Sequence, residues 1–591
     1  FTTGSDLVFA INGTTFDTQY EQLNVVGRVD LTGVDLVLSG SHSPAVGNSF
    51  VVVNNDGTDA IVGTFSGLPE AGFLNIPSSD LSYQITYRGG DGNDVVAQVV
   101  EADPILEGTS DDDTLLLKHS GANLQLTLNG SVVWSVPFGQ LNSLTINSLA
   151  GNDTLTVELL GGPVTPPAGL LFDGGLSSGV GDKLTINGPI YGFVTYNYTD
   201  HQSGSVTSNS RAVSYQGLEQ LTYTNPSLVA VFNLPPAGQN AVVLGDDGTA
   251  GNSLSRLSGI TITPTDFSNP SGSFTLLPGI ADDHVTVNSL PDLTTQVRIG
   301  DLGKEFGAVT IAEKVAMGLN RSLIASAGMI SANAGVTTQG GSIIFNAKQD
   351  ISLDGPLLSI EGTISLTADS DGNGSGIVAL AEGYSIDADS GKVSIIAADV
   401  DIQGTISSNS LIQLGTVQTG RPINLGTNAS DAFSISTEEL NLFSADLLRV
   451  GSATSGDITV AAGIDLTNRS SPVSMLQLIT SGAIVDGNLS SVDVVVASLD
   501  MVAPAGIGSP SNPLEIATVT LSADSSAGSG SQFFAEVDDV TIGINGLNAQ
   551  SGKIRVEATS IEVASPVTTS AGDIVIAHAP MRSPGAGWCE K

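Results

Sequence analysis

Cysteine, histidine, basic and aromatic residues are all scarce in this 591-residue sequence. Its one cysteine, Cys589, excludes an intramolecular disulfide framework. The histidines lie far apart along the chain, so no two have the spacing of a zinc site, and we expect no transition-metal centre. They are His42, His119, His201, His284 and His578.

Basic residues number 19 against 60 acidic ones, which gives a formal net charge of −41. Such a charge repels nucleic acid phosphates and anionic membrane surfaces. We therefore predict no nucleic acid partner. The sequence also has no run of about 18 apolar residues, the length at which a helix can cross a bilayer, so we predict no membrane span in this segment.

The sequence does contain many short runs of alternating apolar and polar residues. Examples are Leu124–Leu128, Leu155–Val157 and Leu184–Ile186. Alternation with a period of two predicts β-strands, and helical periodicity is almost absent. Glycine, asparagine, aspartate and serine interrupt these runs at short intervals, which is typical of turns. The predicted fold class is all-β.

A glycine-led pattern, Gly-x-[Ile/Val]-x-apolar-x-Ala, recurs along the second half of the chain. Gly341 and Gly362 are 21 residues apart, and Gly362 and Gly391 are 29 apart. The difference equals the polar octapeptide Asp369–Gly376, which we interpret as a loop inserted between two otherwise equal repeats. Further copies begin at Gly456, Gly552 and Gly572.

A repeat of about 21 residues predicts a β-solenoid, in which stacked units bury one another's apolar faces. Alternate side chains of each strand should point inward and stack on their equivalents in the next repeat. We predict such stacking for the six residues at the third and fifth positions of three successive repeats. They are Ile343, Phe345, Ile364, Leu366, Val393 and Ile395.

Residues 1–102 contain DGTDAIVGTFSGLPE at Asp56–Glu70 and YQITYRGGDGNDVV at Tyr83–Val96. These segments resemble the repeat ends of autotransporter passenger domains. The resemblance implies β-solenoid turns on a bacterial exterior. The following residues, 103–302, form a second β-rich region with Gly-Asn-Asp turns, such as GTSDDDTL at Gly108 and LAGNDTLTV at Leu149.

Aromatic side chains are densest in this middle region. Two interpretations are open, a face on which sugars stack and cross-strand pairs within a sheet, and we favour the second. The cluster comprises Tyr191, Phe193, Tyr196, Tyr198, Tyr215 and Tyr223.

Residues 303–580 carry the glycine-led repeats together with INLGT at Ile423, LRVGS at Leu448 and LDMVAPAGIGS at Leu499. This part resembles the large bacterial exoproteins of the filamentous haemagglutinin type. The resemblance implies a right-handed parallel β-helix that is exported and used for adhesion, here interrupted by the middle region. Residues 581–591 match no repeat and are predicted to be an irregular tail.

Two turns carry the ligand spacing of calcium sites. Gly89–Ala97 fits the nonapeptide Gly-Gly-x-Gly-x-Asp-x-apolar-x, with Asp91, Asn93 and Asp94 as oxygen donors, but it stands alone where such ions are shared between stacked copies. Asp369, Asp371 and Asn373 match the opening of a calcium loop, although no glutamate occupies the twelfth position. For both turns the simpler interpretation is a solvated turn. Calcium is the one predicted cofactor.

Catalysis has weaker support in the sequence. Asp282 and Asp283 beside His284 could form an acid–base group, but neighbouring strand residues point to opposite faces. A second carboxylate pair is Asp153 with Glu158. Gly175–Gly179 has the letters of the esterase Gly-x-Ser-x-Gly pattern without its strand and helix. We predict that the protein is not an enzyme.

Together these features predict a noncatalytic segment of a large bacterial repeat protein, located outside the cell or on the outer surface. Its expected role is to present a rigid β-solenoid to a surface, a glycan or a protein receptor. We also expect end-to-end self-association, because terminal repeats of a solenoid expose unpaired strands. The alternative is a carbohydrate-active β-helix enzyme, a lyase or hydrolase, since that fold also carries such active sites.

Overall fold

The computed structural model is all-β. Its helical content is one four-residue helix, α1 (Thr437–Leu440), and a 3-10 turn at Phe138–Gln140 in the part of the chain that the structure describes. Within that part no helix is both long and apolar enough to cross a membrane. The described residues are 2–55, 57–77, 79–177, 179–467, 472–488 and 492–578.

The chain divides into two compact units. The first comprises Phe1–Pro226 with Ile262–Phe267, and the second comprises Ser227–Thr261 with Ser268–Lys591. The three-part division expected from the sequence stays a prediction, and its tail, residues 581–591, lies outside the described residues.

The first unit begins with a small sheet in the order β2-β4-β7-β6-β5 and a separate parallel pair, β1 and β3. One hydrophobic cluster, centred on Phe50, Phe65 and Ile85, packs these strands together. The strands are β1 (Asp6–Ala10), β2 (Leu23–Val25), β3 (Asp35–Ser39), β4 (Ser49–Asn55), β5 (Phe73–Asn75), β6 (Ser82–Gly89) and β7 (Asp94–Val100).

This sheet differs from the solenoid turns expected over residues 1–102. The pairs β1–β3 and β2–β4 are parallel, but β4–β7, β5–β6 and β6–β7 are antiparallel. The Gly-Gly-Asp-Gly-Asn sequence explains the last pair, because it forms a tight hairpin between β6 and β7 in which Gly90 and Gly92 take positive φ angles.

The rest of the first unit combines parallel pairing across repeats with local antiparallel hairpins. The strands are β8 (Ile105–Glu107), β9 (Thr114–Ser120), β10 (Asn123–Leu128), β11 (Ser131–Pro137), β12 (Leu144–Asn147), β13 (Thr154–Glu158), β14 (Leu170–Asp173), β15 (Lys183–Asn187), β16 (Tyr191–Tyr198), β17 (Gly204–Ser208), β18 (Arg211–Gln216) and β19 (Gln220–Tyr223).

Two parallel ladders run through these strands, β8-β12-β14-β18 and β9-β13-β15-β19. Residues equivalent in the sequence pattern pair directly: Leu155 lies between Leu115 and Leu184, and all three are fully buried. Antiparallel excursions interrupt the ladders at β9-β10-β11 and β16-β17-β18. The middle region is therefore a stacked repeat with hairpins inserted into it.

The first strands of the second unit continue this mixture, and residues 262–267 return to the first unit, where β23 pairs with β19. The strands are β20 (Ser227–Asn233), β21 (Ala241–Asp246), β22 (Leu254–Gly259), β23 (Thr265–Ser268), β24 (Ser273–Leu277), β25 (His284–Val287), β26 (Gln296–Ile299), β27 (Phe306–Ile311), β28 (Val315–Leu319), β29 (Leu323–Ala332) and β30 (Val336–Gln339).

The glycine-led repeats begin after β30. Their first strands are β31 (Ile343–Ala347), β32 (Ile351–Leu353), β33 (Leu357–Ile360), β34 (Ile364–Thr367), β35 (Ile377–Leu380), β36 (Ser385–Asp387), β37 (Val393–Ile396), β38 (Asp399–Ile402), β39 (Thr405–Gly415), β40 (Ile423–Gly426), β41 (Phe433–Ser436), β42 (Phe443–Gly451), β43 (Ile458–Val460) and β44 (Ile464–Asp465).

The remaining strands keep the parallel pairing to the end of the described chain. They are β45 (Met475–Ile479), β46 (Ala483–Asp486), β47 (Val494–Val502), β48 (Gly506–Ile507), β49 (Leu514–Asp524), β50 (Gln532–Glu536), β51 (Asp539–Ala549), β52 (Ile554–Ala558), β53 (Ser560–Val563), β54 (Val567–Thr569) and β55 (Ile574–His578).

Three parallel ladders hold the glycine-led repeats together: β31-β34-β37, β32-β35-β38 and β33-β36-β39. Ile364 pairs with Ile343 and with Val393, while Leu366 pairs with Phe345 and with Ile395. All six side chains are fully buried, so the predicted stacking is confirmed. Each Å² of apolar surface removed from water stabilises the fold by about 25 cal/mol, so these buried columns stabilise the repeats.

The octapeptide Asp369–Gly376 leaves the repeat as a loop between β34 and β35, as the spacing predicted. The paired residues are 21 positions apart before it, Ile343 with Ile364, and 29 apart across it, Ile364 with Val393. The insertion therefore lengthens one turn and leaves the register of the ladders unchanged.

Candidate functional site: acidic turns

Each candidate site lies in a turn where carboxylates gather at the ends of strands. In the nonapeptide turn, Asp91 is exposed whereas Asn93 and Asp94 are buried. The Asp94 Oδ1 atom accepts a hydrogen bond of 2.8 Å from the Asn55 backbone N–H, and Asn93 Nδ2 donates to the Asp59 carbonyl at 3.2 Å. Asn93 and Asp94 therefore hold the segment around Asn55 and Asp59 in place, whereas Asp91 points into solvent.

The inserted loop places its three predicted ligands in a local network. Asp369 is fully buried, and its Oδ1 atom accepts a hydrogen bond of 3.0 Å from Gly374 N–H. Asp371 and Asn373 are exposed and bond to each other, with 3.0 Å between Asn373 Nδ2 and Asp371 Oδ2. The second carboxylate oxygen of Asp369, Oδ2, is buried without a hydrogen-bond partner. Burial first, and then the Asp371 carboxylate, raises the pKa of Asp369.

A third acidic feature was not identified from the sequence. Asp153 Oδ1 accepts a bond of 2.7 Å from Asp113 N–H, Asp182 Oδ1 accepts one of 2.7 Å from Asp153 N–H, and Glu219 Oε2 accepts one from Asp182 N–H. We call these four residues the carboxylate ladder. Its three aspartates directly precede β9, β13 and β15, which pair in parallel. The carboxylates of Asp153 and Asp182 therefore each bond to the backbone of the preceding repeat.

Two members of the carboxylate ladder, Asp153 and Asp182, have raised pKa values. The pKa of Asp182 is raised to about 6, mainly by burial and in smaller part by the carboxylates of Asp153 and Glu219. Burial also raises the pKa of Asp153, again with a contribution from a neighbouring carboxylate, Asp113. A proton or a cation would relieve the repulsion between these stacked groups.

The fourth feature is the closest grouping of carboxylates in the described chain that could hold a metal ion. Asp486 ends β46, Asp493 precedes β47 and Glu515 lies near the start of β49. One oxygen from each lies within 4.8 Å of the others. We call these three residues the acidic trio. Asp486 and Asp493 are buried and Glu515 is partly buried.

Hydrogen bonds fix the trio in place. Glu515 N–H donates to Asp493 Oδ2 at 2.8 Å, Asn488 N–H donates to Asp486 Oδ1 at 2.8 Å, and Asn488 Nδ2 donates to Asp493 Oδ1 at 2.5 Å. The Asp486 Oδ2 atom is buried without a hydrogen-bond partner. Burial, together with the Asp486 and Glu515 carboxylates, raises the pKa of Asp493 to about 8. Such a site can take up a proton or a hard cation.

The sequence contained a signal for the carboxylate ladder, because Asp113, Asp153 and Asp182 each stand two residues before a stacked leucine. The trio had a weaker one. Asp493 and Glu515 are one repeat apart, and the residues that follow them, Val494 and Ile516, pair in parallel. Asp486 joins them only through the turn after β46, which no spacing rule predicts.

The carboxylates considered for catalysis have other partners. Asp283 is fully buried, and it accepts bonds from Asn240 N–H at 2.8 Å and from Gly279 N–H at 2.7 Å. Its neighbours Asp282 and His284 are exposed, on the opposite side of the strand start. The buried Asp283 is thus separated from the exposed Asp282 and His284.

The other catalytic candidates are also dispersed. Asp153 belongs to the carboxylate ladder, whereas Glu158, at the far end of β13, accepts a bond of 2.8 Å from Asn187 Nδ2. Ser177 lies between strands β14 and β15 and donates to Glu219 at 2.9 Å, and Ser178 of the same pattern is outside the described residues. A strand rather than a helix follows this serine, so the nucleophile-elbow geometry is absent from this turn.

The aromatic cluster of the middle region is mostly core. Tyr196 and Tyr223 are buried with ring centroids 5.7 Å apart and planes at 83°, an edge-to-face pair. Tyr198 and Tyr215 are buried as well, and Phe193 is 54% exposed. The interpretation as sheet packing therefore holds for four of the six rings.

Comparison with known proteins identified no relative: no family model, no curated protein and no solved structure matches this chain.

Proposed function

We propose that this chain is a noncatalytic, extracellular structural or adhesive segment of a large bacterial repeat protein of the filamentous haemagglutinin type. In this proposal the parallel ladders of the glycine-led repeats are the faces of a right-handed parallel β-helix. The ladders β31-β34-β37, β32-β35-β38 and β33-β36-β39 support it, because three strands per repeat with continuous parallel pairing are what a three-sided solenoid requires.

The proposal that the protein is noncatalytic rests on the hydrogen bonds that its buried turn carboxylates make. They accept backbone N–H bonds from a neighbouring repeat, which is a structural task. The carboxylates bonded in this way include Asp153, Asp182, Asp283, Asp399 and Asp493.

The proposed partner is a glycan, a protein receptor or an environmental surface. A net charge of −41 disfavours anionic surfaces and favours neutral or cationic ones. Within the first unit, Tyr191 and Arg211 line a groove, and Phe193, two residues after Tyr191 in β16, has an exposed ring. Exposed aromatic rings are suited to stacking on a sugar. This groove is the first surface to test for glycan contact.

The test compares binding with turnover on the same glycans. The purified chain is incubated with neutral and acidic polysaccharides, and reducing ends and unsaturated products are measured alongside retention on the immobilised glycans. Retention without product is the expected result, and Phe193→Ala should lower it while the exposed substitution Leu176→Ala leaves it unchanged. Reproducible turnover would establish the alternative, a carbohydrate-active β-helix enzyme, and overturn the proposal.

A further inference from the structure

We propose that Asp486, Asp493 and Glu515 bind one Ca²⁺ ion, which links two neighbouring repeats of the second unit. The site differs from both turns that the sequence singled out for calcium. It does not depend on the adhesive function proposed above, since an ion that joins repeats would serve an enzyme scaffold equally well.

The geometry of the trio fits calcium. Ca²⁺ binds oxygen ligands at about 2.3–2.6 Å, so two ligands on opposite sides of the ion lie roughly 5 Å apart. The three carboxylate oxygens of the trio lie within 4.8 Å of one another. Mg²⁺ dehydrates reluctantly and is usually held by one or two carboxylates with several waters, so a site of three carboxylates favours Ca²⁺. All the ligands are carboxylate oxygens, the donors that hard divalent cations prefer.

A second observation points to a ligand at the same place. Asp486 is 6% exposed, and its Oδ2 atom has no hydrogen-bond partner. A buried carboxylate oxygen without a donor costs free energy unless a proton or a cation satisfies it. The other carboxylate oxygen, Oδ1, is already held by Asn488 N–H at 2.8 Å, so Oδ2 is the atom left for an ion.

The ion would join repeats because its ligands come from two of them. Asp493 directly precedes Val494 of β47, and Glu515 directly precedes Ile516 of β49. Val494 and Ile516 pair in parallel. Asp493 N–H also donates to the Glu515 carbonyl at 2.7 Å, while the Asp493 side chain accepts from Glu515 N–H. Bringing three carboxylates together at this junction is repulsive, and a divalent cation converts that repulsion into attraction.

A shared proton between Asp486 and Asp493 is the competing occupant. Either occupant would relieve the repulsion between carboxylates held this close together.

The experiment is calorimetric titration of the full chain with Ca²⁺ after chelator treatment. The expected result is that Asp486→Asn and Glu515→Gln each lose one binding event, or weaken it by about tenfold or more. The matched control is Asp399→Asn, since Asp399 also accepts an inter-repeat N–H bond, from Ser434 at 2.7 Å, but lies outside the trio. Mg²⁺ replaces Ca²⁺ in a parallel titration and should bind more weakly.

Circular dichroism of each variant checks that the repeats remain folded, and Glu515→Gln alone suffices if Asp486→Asn does not fold, because Glu515 is only partly buried. Equal numbers of calcium sites in the wild type and both trio variants would overturn the proposal, and so would the same loss in Asp399→Asn. A wild-type titration without any Ca²⁺ binding would overturn it as well.

Discussion

Gly362 lies so close to Gly341 that a β-carbon on Gly362 would overlap the carbonyl oxygen of Gly341. The same relationship repeats along the ladder: a β-carbon on Gly391 would overlap the Gly362 carbonyl, and one on Gly572 would overlap the Gly552 carbonyl. Glycine is therefore required here by the approach of one backbone to the next. The same Gly341 carbonyl also accepts a hydrogen bond of 2.9 Å from the buried Ser359 hydroxyl.

Gly362→Ala should destabilise the second unit. The added methyl group meets backbone atoms that cannot rotate away, so the two repeats must separate or shift in register. We expect a loss of about 1 to 3 kcal/mol, as for other overpacked sites. Thermal unfolding followed by circular dichroism measures it.

The matched control is Gly245→Ala in the same unit, where the nearest atom to an added β-carbon is Asn288 Cβ at an ordinary 3.4 Å. This variant should melt close to the wild type. If Gly362→Ala also melted like the wild type, close backbone approach would not be the reason for the glycine repeat.

The sequence was sufficient to predict the strands, the apolar columns and the inserted loop of the glycine-led repeats. Alternation and spacing report directly on which side chains point inward, and Ile364 and Leu366 are stacked as their positions in the repeat required. The sequence did not reveal why Gly362 is glycine. A close contact between backbones of different repeats leaves no local pattern beyond the glycine itself.

Residues 1–102 were harder to predict for a related reason. The expectation there came from a resemblance of short segments such as Tyr83–Val96, in which the Gly-Asp-Gly-Asn turn folds β6 back on β7 as a hairpin. The acidic trio was missed because Asp486 reaches Asp493 and Glu515 across a turn. The spacing of repeats predicts contacts between equivalent positions of stacked strands. It does not predict contacts made across a turn between different ladders.

The protein should lose stability as the pH rises from about 4.5 to 8. Burial raises the pKa of Glu536 to about 8 from its ordinary value of 4.5. A carboxyl group with a raised pKa binds its proton more tightly in the folded state. Its stabilising contribution is therefore complete below about pH 4.5 and is lost as the pH passes through about 8. Asp182 contributes in the same direction over a lower window, up to about pH 6.

Glu536→Gln should flatten this pH dependence. The neutral amide can still accept the bond that Thr518 N–H donates at 3.1 Å, and it carries no charge to bury. Urea unfolding at several pH values, with a chelator present to remove bound cations, gives the slope. Glu382→Gln, at an exposed turn, is the control and should keep the wild-type slope. An identical slope in Glu536→Gln would assign the pH dependence to other groups.

Tyr198→Phe should destabilise the first unit by about 1 kcal/mol, the usual net value of a buried hydrogen bond. The Tyr198 hydroxyl donates to Thr265 Oγ1 at 2.8 Å, and both residues are buried. Thr265 belongs to the segment Ile262–Phe267, so this bond ties a distant stretch of sequence into the unit. Tyr191→Phe, at a partly buried ring of the same strand, should cost less. Equal melting temperatures for both variants and the wild type would contradict the expected role of the bond.

Calcium should raise the melting temperature through the inserted loop as well as through the trio, because Asp369 Oδ2 is buried without a hydrogen-bond partner next to Asp371. Asp371→Ala in the Asp486→Asn background separates the two sites, since the trio no longer responds there. The expected result is that this second substitution removes a calcium-dependent rise in melting temperature that Asp486→Asn alone retains. Asp354→Ala, an exposed turn residue, is the control. If Asp371→Ala left the melt in calcium unchanged, the loop would be a solvated insertion, held together only by the bonds among Asp369, Asp371 and Asn373.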